Sequence, residues 1–441
     1  MRLMAQPDPS ELLLRVRDRV IHTLDRLPRY MCTQTIDRSV YEPIRRDVDA
    51  KACDATQHSP DAKRNLVRAM ADRVRLDVGT VAQGEIYSWV GENRFRNRSL
   101  FSIVDEGSLS TGYFNGFLEL AFRSDNAGFS YSGEVSEGNR KLAEYAYRQP
   151  LEGSHYSFLF HGQRFTSAYE GTVLVDPQTA ELVRLTLRTS RLPSETAACE
   201  ADNTLNYSRF HLNGSDFLLP SETRLHITEQ NGAEAENLTV YSACHEFLGE
   251  STLNFDIPLD TPAQSSPALR AEIIIPAELP FRLVLAQDIH VATAAAGDLV
   301  KAVLTADLRD QAKKVLIPKG TPVLCRILRI SRWYSHHLDR SVMDFNDTSD
   351  GVFTSAPGSR VELLLGLENF ELHGGQQPIY AQLDHGKTAS LPRRGTLQNS
   401  PVELGPLNAI GRNQWYAIFP RAGDHYVIKS GLASNWVTVA P

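Results

Sequence analysis

The cysteines are the residues of this 441-residue sequence whose type and position offer the most chemistry. Cys32 and Cys53 bound the stretch CTQTIDRSVYEPIRRDVDAKAC, and Cys199 and Cys244 form a second couple beside segments with strand character. Zinc sites bring thiolates in close Cys-x-x-Cys pairs, which this sequence lacks, and a catalytic thiol needs a partner histidine that sequence cannot place. We therefore predict two disulfides, Cys32 with Cys53 and Cys199 with Cys244, and a buried apolar role for Cys325.

The predicted disulfides bear on the compartment, because such bonds persist only in an oxidising environment. The first residues, MRLMAQPDPSE, are typical of the end of a signal peptide and its small-residue cleavage point. We predict an exported protein, periplasmic or associated with the outer membrane, whose signal peptide is truncated; an ordinary cytosolic start is the alternative. No apolar run approaches the ~20 residues of a membrane-spanning helix, so no transmembrane segment is predicted.

Other candidate groups do not combine into a reactive site. The stretch FSYSGEVS lacks the Gly-x-Ser-x-Gly spacing of a nucleophile elbow, because Ser130 is followed two positions later by Ser132. His336 and His337 are adjacent, and neighbouring residues of a strand point to opposite faces, so one metal ion would rarely take both. We predict no catalytic residue, no metal ligand and no cofactor, and an enzyme is the least favoured alternative.

One aromatic constellation is a candidate for ligand binding. Alternate residues of curved strands that face an aromatic helix could line an apolar cavity able to hold an acyl chain. The same rings could instead close-pack as an ordinary core, and both interpretations stay open. The predicted set is Tyr87, Trp89, Phe114, Phe117, Phe122, Phe158 and Phe160.

The elements that must position these residues follow from the spacing of apolar residues. Ser10 is predicted to cap a helix whose apolar positions run from Leu13 to Leu27 at three- and four-residue spacing, and Pro28 ends it. The period then changes to two in short segments such as GEIYSWVG, YEGTVLVD and LVRLTLRTS, which predict a meandering antiparallel sheet. The exception is STGYFNGFLELAFRS, predicted as an amphipathic helix over the concave side of that sheet.

A change of composition divides the chain. The segment NFDIPLDTPAQSSPALRAE is rich in Pro, Ser and Ala without a periodic pattern, which indicates a linker at 258–275 between domains at 10–257 and 276–441. The predicted fold class is mainly β (α+β): a curved antiparallel sheet or half-barrel with covering helices, followed by a small all-β barrel or sandwich. The net charge of -7 and the absence of a clustered basic face exclude nucleic acid as a partner.

Two resemblances refine this interpretation. The order of LPRYMCTQTIDRS, EIYSWVGENRF, YEGTVLVDPQTAELVRLTLR and FLLPSETRLHI resembles uncharacterised exported bacterial envelope proteins, and the hairpin turn at Asp176 and Pro177 resembles the LolA-like fold of periplasmic lipoprotein carriers, over 10–257. The segments FRLVLAQDI, Gly297 with Asp298, and LIPKGTPVLCRI resemble the β-domain of TrbI-type conjugation-channel proteins.

These resemblances imply a function by binding. The TrbI-type resemblance implies a small β-barrel that assembles with or docks to an envelope protein, and the LolA-like resemblance implies a carrier. We therefore predict a non-catalytic exported envelope protein that acts as a binding or assembly module; the alternative is a carrier or sensor for the acyl chain of a lipid or lipoprotein.

Overall fold

The computed structural model divides the described residues into two compact units, the first ending at residue 246 and the second running from 274 to 441. The structure describes residues 8–43, 53, 66–81, 84–92, 95, 100–104, 107–124, 127–160, 163–190, 192–212, 214–246, 274–334, 359–372, 375–384, 402–403, 411–420 and 422–441. The predicted linker lies outside these residues except for positions 274 and 275, and so do His336 and His337. The domain boundaries 10–257 and 276–441 therefore stay predictions.

The first unit contains three α-helices and twelve strands among its described residues. The helices are α1 Pro9–Arg26, α2 Leu100–Ile103 and α3 Gly116–Phe122. The strands are β1 Tyr30–Pro43, β2 Leu66–Val81, β3 Gly84–Trp89, β4 Gly128–Glu137, β5 Arg140–Gln149, β6 Ser157–Phe160, β7 Gln163–Thr166, β8 Tyr169–Asp176, β9 Glu181–Ser190, β10 Ala198–Leu212, β11 Ser215–Glu229 and β12 Glu234–Glu246.

Ten of these strands form one antiparallel sheet in the order β3-β2-β1-β12-β11-β10-β9-β8-β5-β4. Strand β1 pairs with both β2 and β12, so the beginning and the end of the unit are neighbours in the sheet. Strands β6 and β7 form a separate hairpin between β5 and β8. Strands β3 and β4 end this order among the described strands, which leaves the curved sheet open.

The N-cap of helix α1 lies two residues before the predicted one. The N-cap is Asp8 and not Ser10: the Asp8 carboxylate accepts a hydrogen bond from the backbone N–H of Ser10 at 2.8 Å, and Pro9 occupies the first turn. Asp8 is favoured because a carboxylate satisfies free N–H groups and complements the positive end of the helix. The buried face of α1 is formed by Leu12, Val16 and Val20.

The four cysteines of the first unit are bonded, but the predicted pairing is wrong. Cys32 bonds Cys244 and Cys53 bonds Cys199, at Cα–Cα distances of 4.0 and 5.2 Å. The physical reason is the pairing of β1 with β12, which places Cys32 beside Cys244 although 212 residues separate them. Each bond therefore closes a much longer loop than the predicted pairing would. Cys325 is buried and free, and burial raises the pKa of its thiol to about 12.

The second unit is built from strands around its own core. Its described strands are β13 Pro280–Leu285, β14 Ile289–His290, β15 Leu299–Leu304, β16 Leu308–Arg309, β17 Val315–Ile317, β18 Pro322–Trp333, β19 Arg360–Leu372, β20 Gly375–Pro378, β21 Ala381–Leu383, β22 Val402–Glu403, β23 Gln414–Pro420, β24 Val427–Ile428 and β25 Ala433–Thr438. The main sheet runs β21-β25-β13-β15-β18-β19-β23-β22, with β20 also on β19. The core includes Phe281, Phe370 and Trp436.

The segments that predicted the second unit fold as strands and turns. Strand β15 begins directly after Gly297 and Asp298, and the buried Arg326 guanidinium of β18 donates a hydrogen bond to the Gly297 carbonyl oxygen at 2.8 Å. The mainly β fold class with covering helices is confirmed. None of the helices in the described parts of the chain combines the length and the apolar character needed to cross a membrane.

Candidate binding site

The concave face of the first unit's sheet is covered by helix α1 and, beside it, by residues 107–122, called here the cover segment. It consists of a loop followed by helix α3, and it places Phe114, Phe117, Leu118 and Phe122 in buried positions. Asn115 at the N-cap position of α3 makes no side-chain capping bond, so the helix depends on packing and on the strands beneath it. The cover segment is therefore held by its contacts with the sheet.

Glu85 on β3 is the main polar anchor of the cover segment. Its carboxylate accepts hydrogen bonds from the backbone N–H of Gly112 at 2.6 Å and of Phe114 at 2.9 Å. It also accepts a short hydrogen bond from the Tyr87 hydroxyl. Burial, followed by the charge of Glu85, raises the pKa of Tyr87 well above its ordinary value. Charge-assisted hydrogen bonds of this kind are about twice as strong as neutral ones.

The start of the cover segment is anchored at another position of the sheet. The Asn237 side-chain amide on β12 donates a hydrogen bond to the Ser108 carbonyl oxygen at 2.7 Å. Gly107 has a φ of +83°, and a Cβ there would lie 2.7 Å from Nη1 of the buried Arg38. A glycine therefore lets the chain pass directly over the guanidinium. Arg38 in turn forms a buried ion pair with Asp72 on β2.

Two further bonds attach the middle and the end of the cover segment. The Tyr113 hydroxyl donates to Oδ1 of the buried Asn203 at 3.1 Å, and the Asn203 amide donates to the Tyr156 hydroxyl at 3.0 Å. The Tyr169 hydroxyl donates to the Leu120 carbonyl oxygen at 2.8 Å. Burial raises the pKa of Tyr113 to about 12, so this phenol stays protonated at neutral pH.

The aromatic rings beneath the cover segment form two connected groups. In the first, the Phe114 ring lies between Tyr30 and Tyr241, with ring centres 5.1 and 4.9 Å away. The second is a path of neighbouring rings whose centres lie 5.2 to 6.3 Å apart. Its members are Tyr113, Phe117, Tyr156, Phe158, Tyr169, Tyr147, Phe129 and Phe122. The interior is thus an almost continuous aromatic layer.

The structure brings most of the seven predicted lining residues to this layer. Phe114, Phe117, Phe122 and Phe158 belong to the ring groups. Of the remaining three, Tyr87 and Trp89 are buried on β3, whereas Phe160 is half-buried on the β6–β7 hairpin. Their role as ligand lining stays a prediction.

Sequence reasoning missed the tyrosines that complete the layer. Five of them lie on strands, where alternate residues project towards the same face as their apolar neighbours, whereas Tyr113 lies in the cover segment and Tyr156 lies just before β6. The period of two, counted through AEYAYRQ of β5, NTLNYSRF of β10 and NLTVYSAC of β12, could have found Tyr147, Tyr207 and Tyr241. The missed residues are Tyr30, Tyr113, Tyr147, Tyr156, Tyr169, Tyr207 and Tyr241.

Several hydroxyls in this interior have no partner among the residues that the structure describes. Those of Tyr30, Tyr207 and Tyr241 make no hydrogen bond there, although all three side chains are at most 7% exposed. Thr223 Oγ1 is a neighbour of the Tyr241 hydroxyl, yet neither atom forms a bond of acceptable geometry. A buried polar group without a partner costs about 1–3 kcal/mol, so this side of the interior is unusually polar for an apolar core.

Two concavities are visible on the first unit. A half-open cavity of about 260 Å³ lies beside α1, where apolar residues such as Val20 and Leu182 adjoin the charged groups of Arg19, Glu181 and Arg209. A more open groove of about 400 Å³ crosses β4, β5, β8 and β9. None of the seven predicted lining residues borders either of these two concavities. In this structure the rings pack against one another.

One group on the opposite face of the sheet could hold a metal ion. The ligand atoms of His226 on β11 and of Glu234 and Glu236 on β12 all lie within 4.8 Å of one another. One imidazole and two carboxylates are a donor set that divalent zinc accepts. In this structure His226 Nε2 lies 2.9 Å from Glu234 Oε2, and this hydrogen bond raises the pKa of His226. His226 and Glu234 therefore already satisfy one another as an ion pair.

Comparison with known proteins identifies no family for this chain. No model of a known protein family matches the sequence, and no curated protein matches it. The class that the fold defines is thus a two-unit, mainly β protein with an open, helix-covered antiparallel sheet.

Similar solved structures exist for the first part of the chain. A DUF1329 family protein from Desulfovibrio piger has 10% identity and a TM-score of 0.28, covering 57% of this chain and 98% of that one. A putative outer membrane lipoprotein-sorting protein domain from Vibrio parahaemolyticus has 8% identity and a TM-score of 0.27, covering 54% and 94%. A LolA superfamily protein from Nitrosomonas europaea has 9% identity and a TM-score of 0.24, covering 55% and 94%.

The TrbI-type resemblance of 276–441 stays a prediction.

Proposed function

We propose that this protein is a non-catalytic, exported binding protein of the bacterial cell envelope, and that its first unit binds the acyl chain of a lipid or lipoprotein beneath the cover segment. The observation that carries the proposal is the attachment of that segment. It fills the concave face with phenylalanine rings, yet it is joined to the sheet by isolated hydrogen bonds and not by a strand ladder. The two disulfides support export, because both would be reduced in the cytosol.

The energies of exchange between the cover segment and a long acyl chain are closely balanced. Withdrawing Phe114, Phe117 and Phe122 from the interior costs roughly 5–9 kcal/mol at about 1.5–3 kcal/mol for each side chain. The five hydrogen bonds to Glu85, Asn237, Asn203 and Tyr169 add roughly 3–7 kcal/mol. A buried chain of about 16 carbons returns about 12 kcal/mol at about 0.8 kcal/mol per methylene. A chain of about 8 carbons returns only half of that and cannot displace the segment.

Chain length is therefore the first test. Fluorescence displacement with acyl probes of 16 and 8 carbons should give measurable binding for the longer probe and at least about 100-fold weaker binding for the shorter one. Equal affinities, or no binding of the longer probe, would refute uptake beneath the cover segment. A co-purifying lipid in native mass spectrometry of protein from an envelope fraction would support the same proposal.

A variant separates uptake from adsorption to the surface. Glu85→Gln weakens the anchor of the cover segment, so it should lower the free energy of unfolding and yet raise the affinity for the 16-carbon probe about fivefold to tenfold, because the open form becomes more populated. Glu119→Gln is the matched control, since Glu119 is an exposed carboxylate on α3, within the cover segment. If Glu85→Gln lowers stability without changing affinity, the segment is a permanent part of the core.

For the second unit, we propose docking to an envelope protein. The proposal is supported by the sequence pattern of 276–441, whose segments FRLVLAQDI and LIPKGTPVLCRI fold as β13 and as β17 with the start of β18. Crosslinking in intact cells should join this unit to one defined envelope protein. Crosslinks confined to the first unit would contradict it.

A further inference from the structure

The unpartnered hydroxyls are concentrated at one end of the aromatic interior. Tyr30 on β1 and Tyr241 on β12 flank the Phe114 ring, and Tyr207 on β10 is their neighbour. The hydroxyl oxygens of all three are buried and have no hydrogen-bond partner among the described residues. By contrast, at the other end of the layer the Phe122 ring stacks on Phe129, and the hydroxyl of the adjacent Tyr147 already donates a hydrogen bond to the Thr186 carbonyl oxygen at 2.7 Å. The interior is therefore polar at the Phe114 end and apolar at the Phe122 end.

The charge near these hydroxyls limits what they can bind. Burial first and the Glu85 carboxylate second raise the pKa of Tyr30 and of Tyr241 well above the ordinary value, so both phenols are neutral donors at physiological pH. An anionic group placed among them would be repelled by the same carboxylate. A neutral oxygen acceptor, such as an ester carbonyl or an alcohol, meets hydrogen-bond donors without that repulsion.

We propose that Tyr30, Tyr207 and Tyr241 form a subsite for the neutral ester or hydroxyl head of an acylated ligand, occupied when Phe114 withdraws. The proposal rests on the proposed function, since it assumes that an acyl chain enters beneath the cover segment. It adds the orientation of the ligand and its chemical class. The head lies between β1, β10 and β12, the chain follows the rings towards Phe122, and neutral acylglycerol esters are preferred to free fatty acids.

Two probes with the same chain test the preference. Monopalmitoylglycerol carries a neutral ester and hydroxyls, whereas palmitate carries a carboxylate. At pH 7.5 the full-length protein should bind monopalmitoylglycerol at least about tenfold more tightly than palmitate. The single variants Tyr30→Phe, Tyr207→Phe and Tyr241→Phe should each lose about fivefold in affinity for the ester, and the triple variant should lose the preference. Tyr131→Phe is the control, because this tyrosine on β4 is exposed.

Thermal stability separates a ligand site from a structural one. Deleting a buried hydroxyl that has no partner removes a desolvation cost, so the Tyr→Phe variants should melt at the same temperature as the wild type or higher. A lower melting temperature with unchanged ester binding would show that the hydroxyls serve the fold, and would overturn the subsite. Equal affinities for palmitate and for the ester, in both the wild type and the triple variant, would overturn the subsite but not the proposed function. Binding of neither probe would overturn the proposed function together with it.

Discussion

The Arg38 guanidinium and the Asp72 carboxylate face each other across β1 and β2 as a buried ion pair. Arg38 Nε donates to Asp72 Oδ1 at 2.8 Å, a second bond joins Nη2 to Oδ2, and both side chains are 6% exposed. The pair lies directly beneath Gly107, the first residue of the cover segment. It therefore couples the two strands of the sheet to the start of the segment that covers it.

Removing one partner of this pair should be costly. We expect Arg38→Met to lower the free energy of unfolding by about 3–5 kcal/mol, because it leaves a buried carboxylate without a counter-charge. The double variant Arg38→Met/Asp72→Leu should recover most of that loss. Arg73→Met is the control: Arg73 and Asp37 form the neighbouring, more exposed pair, so the loss should stay below about 1 kcal/mol in urea titrations. Similar losses for Arg38→Met and Arg73→Met would contradict the buried pair.

The disulfide connectivity can be checked directly. Peptide mapping without reduction should find Cys32 joined to Cys244 and Cys53 joined to Cys199, with Cys325 alkylated only after unfolding, since its buried thiol has a pKa of about 12. Loops of 212 and 146 residues give about 5 kcal/mol each in the chain-entropy model, which is an upper bound. Cys53→Ala should thus lower stability by about 2–5 kcal/mol. A peptide that joins Cys32 to Cys53 would restore the pairing predicted from sequence.

Glu85 should control the local opening of the cover segment. In Glu85→Gln the two backbone bonds lose their charge assistance, worth about 1.4 kcal/mol. Hydrogen exchange at the Gly112 and Phe114 amides should then accelerate about tenfold, while amides in the centre of β11 change little. The exposed Glu119→Gln serves again as control. Unchanged exchange at Gly112 would mean that packing alone holds the segment.

Asp202 should make the first unit less stable at neutral than at mildly acid pH. Burial, then the neighbouring Glu200, raises the pKa of Asp202 from 3.8 to about 6. A raised folded-state pKa favours the protonated form, so the associated stability is fully present below pH 3.8 and is lost as pH rises to about 6. Because Asp202 is partly exposed, we expect a loss of about 1 kcal/mol.

The variant Asp202→Asn isolates this effect. Urea unfolding at pH 4 and at pH 7.5 gives the difference in free energy of unfolding between the variant and the wild type. This difference should favour the variant by about 1 kcal/mol more at pH 7.5 than at pH 4. Glu152→Gln, in an exposed loop, should show no such pH-dependent difference. Parallel stability curves for the wild type and Asp202→Asn would mean that Asp202 ionises normally in the folded state.

Local sequence patterns predict much of the fold. Alternation of apolar residues marks β8 and β9, and Asp176 marks the turn between them, because its carboxylate accepts a hydrogen bond from the Gln178 N–H at 2.9 Å. Strand β5 carries a weaker pattern, because its RKLAEYAYRQ sequence mixes charged residues and alanines with the tyrosines that reach the interior. Local propensity is weak where burial against distant strands decides the structure.

The sequence by itself determined the mainly β class, the amphipathic first helix, the aromatic helix over the sheet and the set of cysteines available for bonding. Only the tertiary structure decided which cysteines meet, which tyrosines join the aromatic layer and which groups hold the cover segment. Periodicity reports the face on which a residue lies, since it depends on neighbours two or four positions away. The pairing of β1 with β12, and the contacts of Glu85 and Arg38 with the cover segment, depend on the order and curvature of the whole sheet, which no local pattern encodes.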